Sequence, residues 1–508
     1  MSVVLVCDLG GTSFRAALVD RTGAIRADCA TVGPVLFDRT SWSEIDAWDW
    51  WSILLASAAQ LAKAEPRLFA GVEGIAICGI TRTQVFVALD GSQLRPAITW
   101  KDTRAEAAAA RLREAMGSHP ESRNLNAFHP LARLAWLREE ESANFSNLAC
   151  VLEPKDWLNY LLTGQQASDP VSMARLLACR ERHDGVDALS AAAVADTVLP
   201  SIVDPQQSVG NVLSGLPAPL DRLAGAPVFC GSNDTWVAVV GLGALGAGYA
   251  YNISGTTEVL GMISDTFAEA EGLLTVDWRG FWQLGGPSQN GADTVAWLVA
   301  LTGATVDPGA IGEAMATLLA GHRDPQPLLF LPYLQGERVP YWNPDLRGAF
   351  VGLNRRHRAT DLAFAVLEGV AFLNRIVLER AEAALGRPAQ EIRFGGGAAA
   401  NPVWSQIKAD VCGTPIVVGA AREPGLLGAA IVAWTGLGRF ASLAEAQASL
   451  VTIARRFEPD STRHATYDTL FALYRRTEAA LSPISSDLAR LALNPDHLLG
   501  IHARSDGK

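Results

Sequence analysis

The opening of the chain limits its fold more than any other feature. Residues 3–8 form an apolar run closed by Asp8, Gly10-Gly11-Thr12 follow, and Phe14 to Val19 is apolar again. A strand buried on both faces reads as a continuous hydrophobic stretch, and a Gly/Thr turn folds it back onto a second strand. Asp20 to Gly23 predicts a hairpin turn and Ala24 to Thr31 a third strand. The same succession returns at Tyr249–Ser254, the Gly255-Thr256-Thr257 turn and Glu258–Ile263; Asp265 and Thr266 mark the next turn and Trp282 a later strand. Two such units half a chain apart predict a duplicated domain. A chain of 508 residues has room for more than one domain. The boundary is expected in the glycine-rich stretch at 244–250, giving domains 1–246 and 247–508. Within the first, Trp48, Trp51, Leu54, Leu55, Ala58 and Leu61 recur at helical spacing, and Gly74 to Ile80 reads as another buried strand.

Charge and cysteine usage narrow the function. The net charge is -11 and no Lys/Arg-rich run occurs, which argues against nucleic acid as a partner. The seven cysteines make no CxxC pair and have no histidine at zinc spacing, so they read as buried thiols of a reducing compartment. No basic segment precedes an apolar core at the N-terminus. The longest apolar stretch, Trp236 to Tyr251, carries four glycines and falls short of the roughly 20 residues of a membrane span. A cytoplasmic protein without membrane contact is expected, with a homodimer among the assemblies open to it. From about Asn494 the chain reads as polar and loose.

Three segments carry chemistry. Glycines in Asp8-Leu9-Gly10-Gly11-Thr12 allow backbone N–H groups close to a phosphate, the Thr hydroxyl adds a donor, and Asp8 at the strand end can hold a magnesium ion. Ser254-Gly255-Thr256-Thr257 has the same composition, and a nucleoside triphosphate needs donors from more than one side. Gly395-Gly396-Gly397 after Phe394, leading to Asn401, offers a flat backbone against which an adenine ring can lie. Each segment taken alone is also an ordinary turn. No GxxxxGK[ST] run occurs, which excludes the P-loop class.

In this order the segments resemble the FGGY family of carbohydrate kinases, within the actin-like ATPase superfamily, over approximately residues 3–485. Gly348-Ala-Phe-Val-Gly352-Leu353, then seven residues, then Asp361-Leu362-Ala-Phe-Ala365-Val366-Leu367-Glu368 follows the family's second-domain signature. Leu331 to Pro340, Ala409-Asp410-Val411 and Gly428-Ala429-Ala430 resemble its neighbouring motifs. The first-domain signature is matched less well: Phe128-His129-Pro130 leads to Leu134-Ala135-Trp136-Leu137, but Arg133 stands where the family usually has Lys. The resemblance implies an α/β fold of two actin-like (ribonuclease H-like) domains, each a mixed sheet flanked by helices, with the active site in the cleft between them. It implies ATP with Mg2+ and transfer of the γ-phosphate to a sugar or polyol hydroxyl. By position, Gly10, Gly11, Thr12, Gly255 and Thr256 would face the phosphates, and Gly396, Gly397 and Asn401 the adenosine.

Residues 227–235 end an apolar strand in a glycine turn that presents Asn233 and Asp234. A carboxylate in hydrogen-bond reach can orient a sugar hydroxyl and accept its proton. The family resemblance makes Asp234 the catalytic base and, with Asp8, a magnesium ligand; a helix N-cap is the structural alternative. Trp100, Asp102 and Arg104 resemble the family's W-x-D-x-R sugar segment: the ring packs on the carbon skeleton and Asp accepts from hydroxyls, unless Arg104 braces Asp102 instead. Gln84 falls where xylulokinases carry His and glycerol kinases Glu, Arg82 where xylulokinases carry Gln, and Phe128 where glycerol kinases carry Tyr. Trp100 and Lys155-Asp156-Trp157 stand nearer the xylulokinase branch, which points to a keto-sugar of about four to six carbons; a polyol or glycerol kinase is the alternative. Two other classes stay open: a non-catalytic nucleotide or sugar sensor, and an ATP-hydrolysing chaperone or filament protein.

Overall fold

The computed structural model describes residues 2–34, 36–255, 257–303 and 310–492. The chain divides into two units: Met1–Gly243 with Asp277–Arg279 and Glu423–Thr452, and Ala244–Val276 with Gly280–Arg422 and Ile453–Lys508. The segment Glu423–Thr452 thus packs with the N-terminal unit, which a single cut after residue 246 does not anticipate.

In the first unit, β1 (Val3–Leu9) pairs antiparallel with β2 (Ser13–Asp20), and β2 with β3 (Ile25–Val32). On its other side β1 runs parallel to β4 (Val72–Gly79), and β4 to β6 (Pro227–Phe229), while β5 (Ser208–Asn211) closes the edge antiparallel to β6. The order is β5-β6-β4-β1-β2-β3. The second unit contains β7 (Ala250–Ser254), β8 (Glu258–Ser264), β9 (Leu274–Asp277), β10 (Trp282–Ser288), β11 (Ile392–Gly395), β12 (Ile416–Gly419) and β13 (Ile453–Phe457), in the order β9-β10-β8-β7-β11-β12-β13. Without the added edge strand β9, the second sheet read from β13 repeats the parallel and antiparallel pairs of the first, but its edge strand β13 follows β12 in the chain whereas β5 precedes β6. The repeat read from two short turns therefore extends to whole sheets.

Helices cover these sheets because their apolar stripes match. Helix α1 (Ala47–Ala64) is capped by Asp46, whose carboxylate accepts from Trp48 N at 3.0 Å. Its buried stripe is Trp50, Leu54, Ala58 and Leu61. Trp48, placed on that stripe from the sequence, is 45% exposed and meets Trp157 edge-on. Two residues turn a helix by about 200°, so Trp48 and Trp50 cannot share a face. The other helices used below are α2 (Pro130–Glu140), α3 (Pro154–Thr163), α4 (Asp234–Gly241), α5 (Ala292–Leu301), α6 (Ala359–Leu385), α7 (Pro402–Cys412) and α8 (Pro424–Gly436).

Helices α4 and α8 meet at backbone distance. A methyl group on Gly241 would come 1.9 Å from the Pro424 carbonyl, and one on Gly428 would come 1.8 Å from the Val237 carbonyl. Only glycine permits this approach. The long α6 buries Val366, Val370, Phe372 and Leu373 in a core shared with Leu260, Met262 and Ile392 of the second sheet. The apolar run Trp236–Tyr251 resolves into the body of α4, a glycine turn and the start of β7. Among the described residues no helix is long and apolar enough to cross a membrane. All seven cysteines are free and buried or half-buried. The chain end from Asn494 lies outside the described residues.

Candidate active site

Parallel strands place their carboxyl ends, and the loops that follow them, on one edge of a sheet, which is where ligands bind in open α/β sheets. In the first unit β1, β4 and β6 are such neighbours. Asp8 stands at the end of β1 and is partly exposed. The turn after it is tied down at both ends: Gly10 N donates to Ser13 O at 2.9 Å, and Thr12 O accepts from Gly33 N at 3.0 Å. The Ile80 N–H holds Leu9 O at 2.9 Å, joining this turn to the end of β4.

The loop after β6 reaches the same edge. Gly231 adopts φ +68° and lies so close to β4 that a methyl group there would meet Ile77 O at 2.0 Å. Asn233 bridges to Gly79 and caps α4, its Oδ1 accepting from Trp236 N at 2.8 Å. Asp234 is the first residue of the helix; its Oδ1 accepts from Thr235 N at 2.6 Å and Thr235 Oγ1 at 3.2 Å. The two alternatives read from the sequence thus fall on different residues: Asn233 is the N-cap, and Asp234 is left half-exposed.

The charge of Asp234 acts on Asp8. Burial, reinforced by the charge of Asp234, pushes Asp8 up to about 7, while a hydrogen bond from the Cys78 thiol opposes it. Burial raises Asp234 above the ordinary carboxylate range, against the hydrogen bonds from Thr235. Gly425 of α8 packs on Asp8: a methyl group there would come 2.3 Å from Oδ2. Trp100 lies on Gly11, whose added methyl would meet the indole Cζ2 at 2.8 Å. The structure therefore gathers Asp8, Gly10, Gly11 and Trp100 in one part of this unit and brings Asp234 within electrostatic reach of Asp8.

The other residues of the expected sugar segment are interior. Asp102 is fully buried; its carboxylate accepts from Ser43 N at 2.6 Å and from Arg104 Nε at 2.9 Å. The Arg104 guanidinium is stacked 3.7 Å from the Trp42 ring centre and 4.9 Å from that of Trp136. That geometry favours the bracing alternative for the Asp102–Arg104 pair. Gln84 is 1% exposed; its Nε2 donates to Glu153 Oε1 at 3.3 Å and its Oε1 accepts from Arg133 Nη1.

A buried polar cluster lies behind the Asp234 loop, built on the Lys155-Asp156 pair that the sequence marks only as nearer the xylulokinase branch. Lys155 of α3 pairs with Asp156 and with Asp169 Oδ2 at 2.9 Å and donates to Cys230 O at 3.3 Å. Asp169 Oδ1 accepts from Ser232 Oγ at 2.7 Å, and Asn159 Nδ2 donates to Cys230 O at 3.0 Å. These bonds fix the backbone from Cys230 to Ser232, immediately before Asp234. The adjacent Lys155 and Asp156 in the segment Leu152–Leu162 were the available signal.

In the second unit, β7 and β11 are parallel neighbours, and their following loops touch. Gly396, at φ +85°, lies against Ser254: a methyl group there would meet Ser254 O at 2.3 Å. Gly255 N donates to Thr257 O at 3.0 Å, and Gly255 O accepts from Ala292 N at 3.1 Å, which brings the start of α5 to this turn. Thr256 lies outside the described residues. Gly397 is exposed. Asn401 caps α7, its Oδ1 accepting from Val403 N at 3.0 Å and Trp404 N at 3.2 Å, so its outward offer is the Nδ2 donor. Beneath them Lys408 Nζ binds Glu258 Oε1 at 2.8 Å and Asn252 Oδ1 at 2.9 Å, a buried pair that locks α7 to β7 and β8.

The family model described as "FGGY family of carbohydrate kinases, N-terminal domain" matches residues 3–241, and that for the C-terminal domain matches residues 250–437. The chain is similar to the xylulose kinase of Bacillus subtilis, 26% identical with 94% of this chain and 96% of the relative covered. It is 31% identical to the glycerol kinase of Methylibium petroleiphilum, with 95% of this chain and all of the relative covered. Its fold matches the crystal structure of xylulose kinase from Rhodospirillum rubrum with a TM-score of 0.82 at 25% identity, over 95% of this chain and 99% of that one. Matched in both halves and from end to end, the chain belongs to the FGGY family of carbohydrate kinases, enzymes of actin-like fold that take the phosphate from ATP.

Proposed function

We propose that this kinase transfers the γ-phosphate of ATP to a hydroxyl of a small ketose resembling xylulose or ribulose, with Asp234 as the base. The observation that carries the proposal is the placement of Asp8 at the end of β1 and Asp234 after β6, on either side of β4, with the charge of Asp234 raising Asp8, beside a turn roofed by Trp100. Burial raises Asp234 above the ordinary carboxylate range, which makes it a better proton acceptor. In the proposed reaction the sugar hydroxyl oxygen forms a bond to the γ-phosphorus as the bond to the bridging oxygen of ADP breaks. The hydroxyl proton passes to Asp234. Because the transition state is loose, Asp234 serves first to orient the hydroxyl and takes the proton as the new bond forms. The Gly11 and Thr12 backbone donors face phosphate oxygens, and the Trp100 ring supports the carbon skeleton.

Asp8 and Asp234 suit a magnesium ion, which is commonly held by one or two carboxylates together with substrate phosphates. Such an ion would neutralise charge on the β- and γ-phosphate oxygens. Among the described residues no group of three or more His, Cys, Asp or Glu side chains forms a dedicated metal cage, in keeping with a shared site. In the second unit, Gly396, Gly397 and the Asn401 amide are assigned to the adenosine. A polyol acceptor is the second reading, favoured by the 31% identity to a glycerol kinase.

The test is coupled ADP release with Mg-ATP across ketoses, aldoses, polyols and sugar acids of three to seven carbons. A pentulose is expected to reach kcat/KM of about 10⁴ M⁻¹s⁻¹ or more. The Asp234→Asn variant should keep sugar binding and lose at least about a hundredfold in kcat. Preference for glycerol would replace the ketose assignment, and near-wild-type kcat in Asp234→Asn would remove the base.

A further inference from the structure

The departure of the chain from the first-domain signature at residue 133 acquires a meaning in the structure. Arg133 projects from α2 and is fully buried. Its Nη1 donates to Arg82 O at 2.5 Å, to Ile98 O at 3.3 Å and to Gln84 Oε1, while Nη2 donates to Thr99 O at 2.6 Å. One side chain thus serves acceptors on two separate loops. Those loops meet at the pair Gln84–Ile98, where Gln84 N donates to Ile98 O at 3.0 Å and Ile98 N to Gln84 O at 3.1 Å. From that bridge the first loop leads back to Arg82 and the second on to Trp100.

We propose that Arg133 is a positioning residue for sugar recognition, its guanidinium setting the spacing between the loop that carries Arg82 and the loop that carries Trp100. Arg82 is exposed and held at φ +56°, a left-handed conformation that an arginine adopts only under restraint. Nη1 grips its carbonyl. Thr99, gripped by Nη2, immediately precedes Trp100, whose ring rests on Gly11. The fork therefore joins an exposed cation to the aromatic face beside the phosphate turn. Glu153 completes the arrangement from below: its Oε2 accepts from Thr83 N at 3.1 Å and its Oε1 from Gln84 Nε2 at 3.3 Å. Burial pushes Glu153 up to about 8, an effect that the charge of Arg133 moderates.

The planar guanidinium suits this task because its nitrogens point along fixed, separate directions. A lysine at 133 would place its three donors on one atom and lack the second, separately directed nitrogen that reaches the Thr99 carbonyl. The chain has thus made the relation between the two loops depend on a fork where its family carries a point charge. The sugars it accepts are expected to be sorted by Arg82 and Trp100 acting at a fixed separation.

This inference rests on the sugar-kinase reading, and wild-type turnover on the sugar panel tests that reading first. Arg133→Lys and Arg133→Met are then assayed with the preferred sugar and two poorer ones. The sugar KM is expected to rise about tenfold in Arg133→Lys and about a hundredfold in Arg133→Met, with kcat and the KM for ATP within threefold of wild type. Discrimination among the three sugars should shrink in the same order. If Arg133→Met does not fold, Arg133→Lys carries the test. An unchanged sugar KM with a lowered melting temperature would overturn the proposal, as would an equal rise in the KM for ATP. Wild-type protein inert on every sugar would overturn the kinase reading and, with it, this one.

Discussion

Replacing Gly425 by alanine separates the requirements of the fold from those of the site. Gly425 lies in the first turn of α8, where alanine is the better helix former by about 0.5–1 kcal/mol. Its backbone is not in the left-handed region, so the substitution creates no conformational strain. The new methyl, however, would stand 2.3 Å from Asp8 Oδ2 and 3.0 Å from its Cγ. An ordinary contact needs about 3.4 Å, so the carboxylate must retreat by about 1 Å. Misplacement on that scale typically costs about a hundredfold in rate, or about 2.7 kcal/mol of transition-state stabilisation. The expected result is a Gly425→Ala enzyme with a melting temperature close to wild type and kcat/KM about a hundredfold lower in the coupled ADP-release assay. Activity within threefold of wild type at unchanged stability would show that Asp8 is not required where it stands, and the argument from the Asp8–Asp234 pair would fail.

Two further predictions concern buried charge. Asp8 is pushed up to about 7 from an ordinary value near 4, so between those pH values the folded state keeps a proton that the unfolded chain has lost. The stability of the nucleotide-free protein should therefore fall as pH rises from about 4 to about 7, an effect that Glu153 extends toward pH 8. Urea midpoints across this range check it, and Asp8→Asn should flatten the decline; a decline unaltered in that variant would refute the assignment. Lys155→Met leaves Asp156 and Asp169 buried without their cation and should cost about 3–5 kcal/mol, read as a lowered urea midpoint. A midpoint unchanged in Lys155→Met would show that the cluster does not hold the Asp234 loop.

The sheets were legible in the sequence because a strand buried on both faces has a plain signature, and because the strand–turn–strand unit occurs twice. The resemblance rested on spacing, and spacing marks which loops follow which strands. It could not tell which polar side chains point outward. Asp102 and Gln84 stand in the sugar-contacting segments of the family pattern, yet both are consumed by interior bonds to Arg104, Arg133 and Glu153. Trp48 illustrates the same limit in a helix: as a tryptophan it fitted an apolar stripe, but rotation assigns that stripe to Trp50. The roles of Gly425 and of the Lys155 cluster were not legible because they depend on neighbours distant in the chain. Gly425 lies more than 400 residues from Asp8, and only the fold brings them together.

That separation has a consequence for how the protein is made. The unit bearing Asp8 and Asp234 takes α8 from the segment Glu423–Thr452. A ribosome that has completed Gly243 must add roughly 180 further residues before Glu423 emerges, which at about 5–20 residues per second is on the order of 10–40 s. Throughout that interval the groove at Val237 and Gly241 stands open, and Asp8 lacks the backbone that packs on its carboxylate. The nascent first unit must therefore wait, with apolar surface uncovered, while most of the second is synthesised. A protein built this way gives chaperones a long interval in which to act and makes Gly241 and Gly428 determinants of yield as much as of final stability.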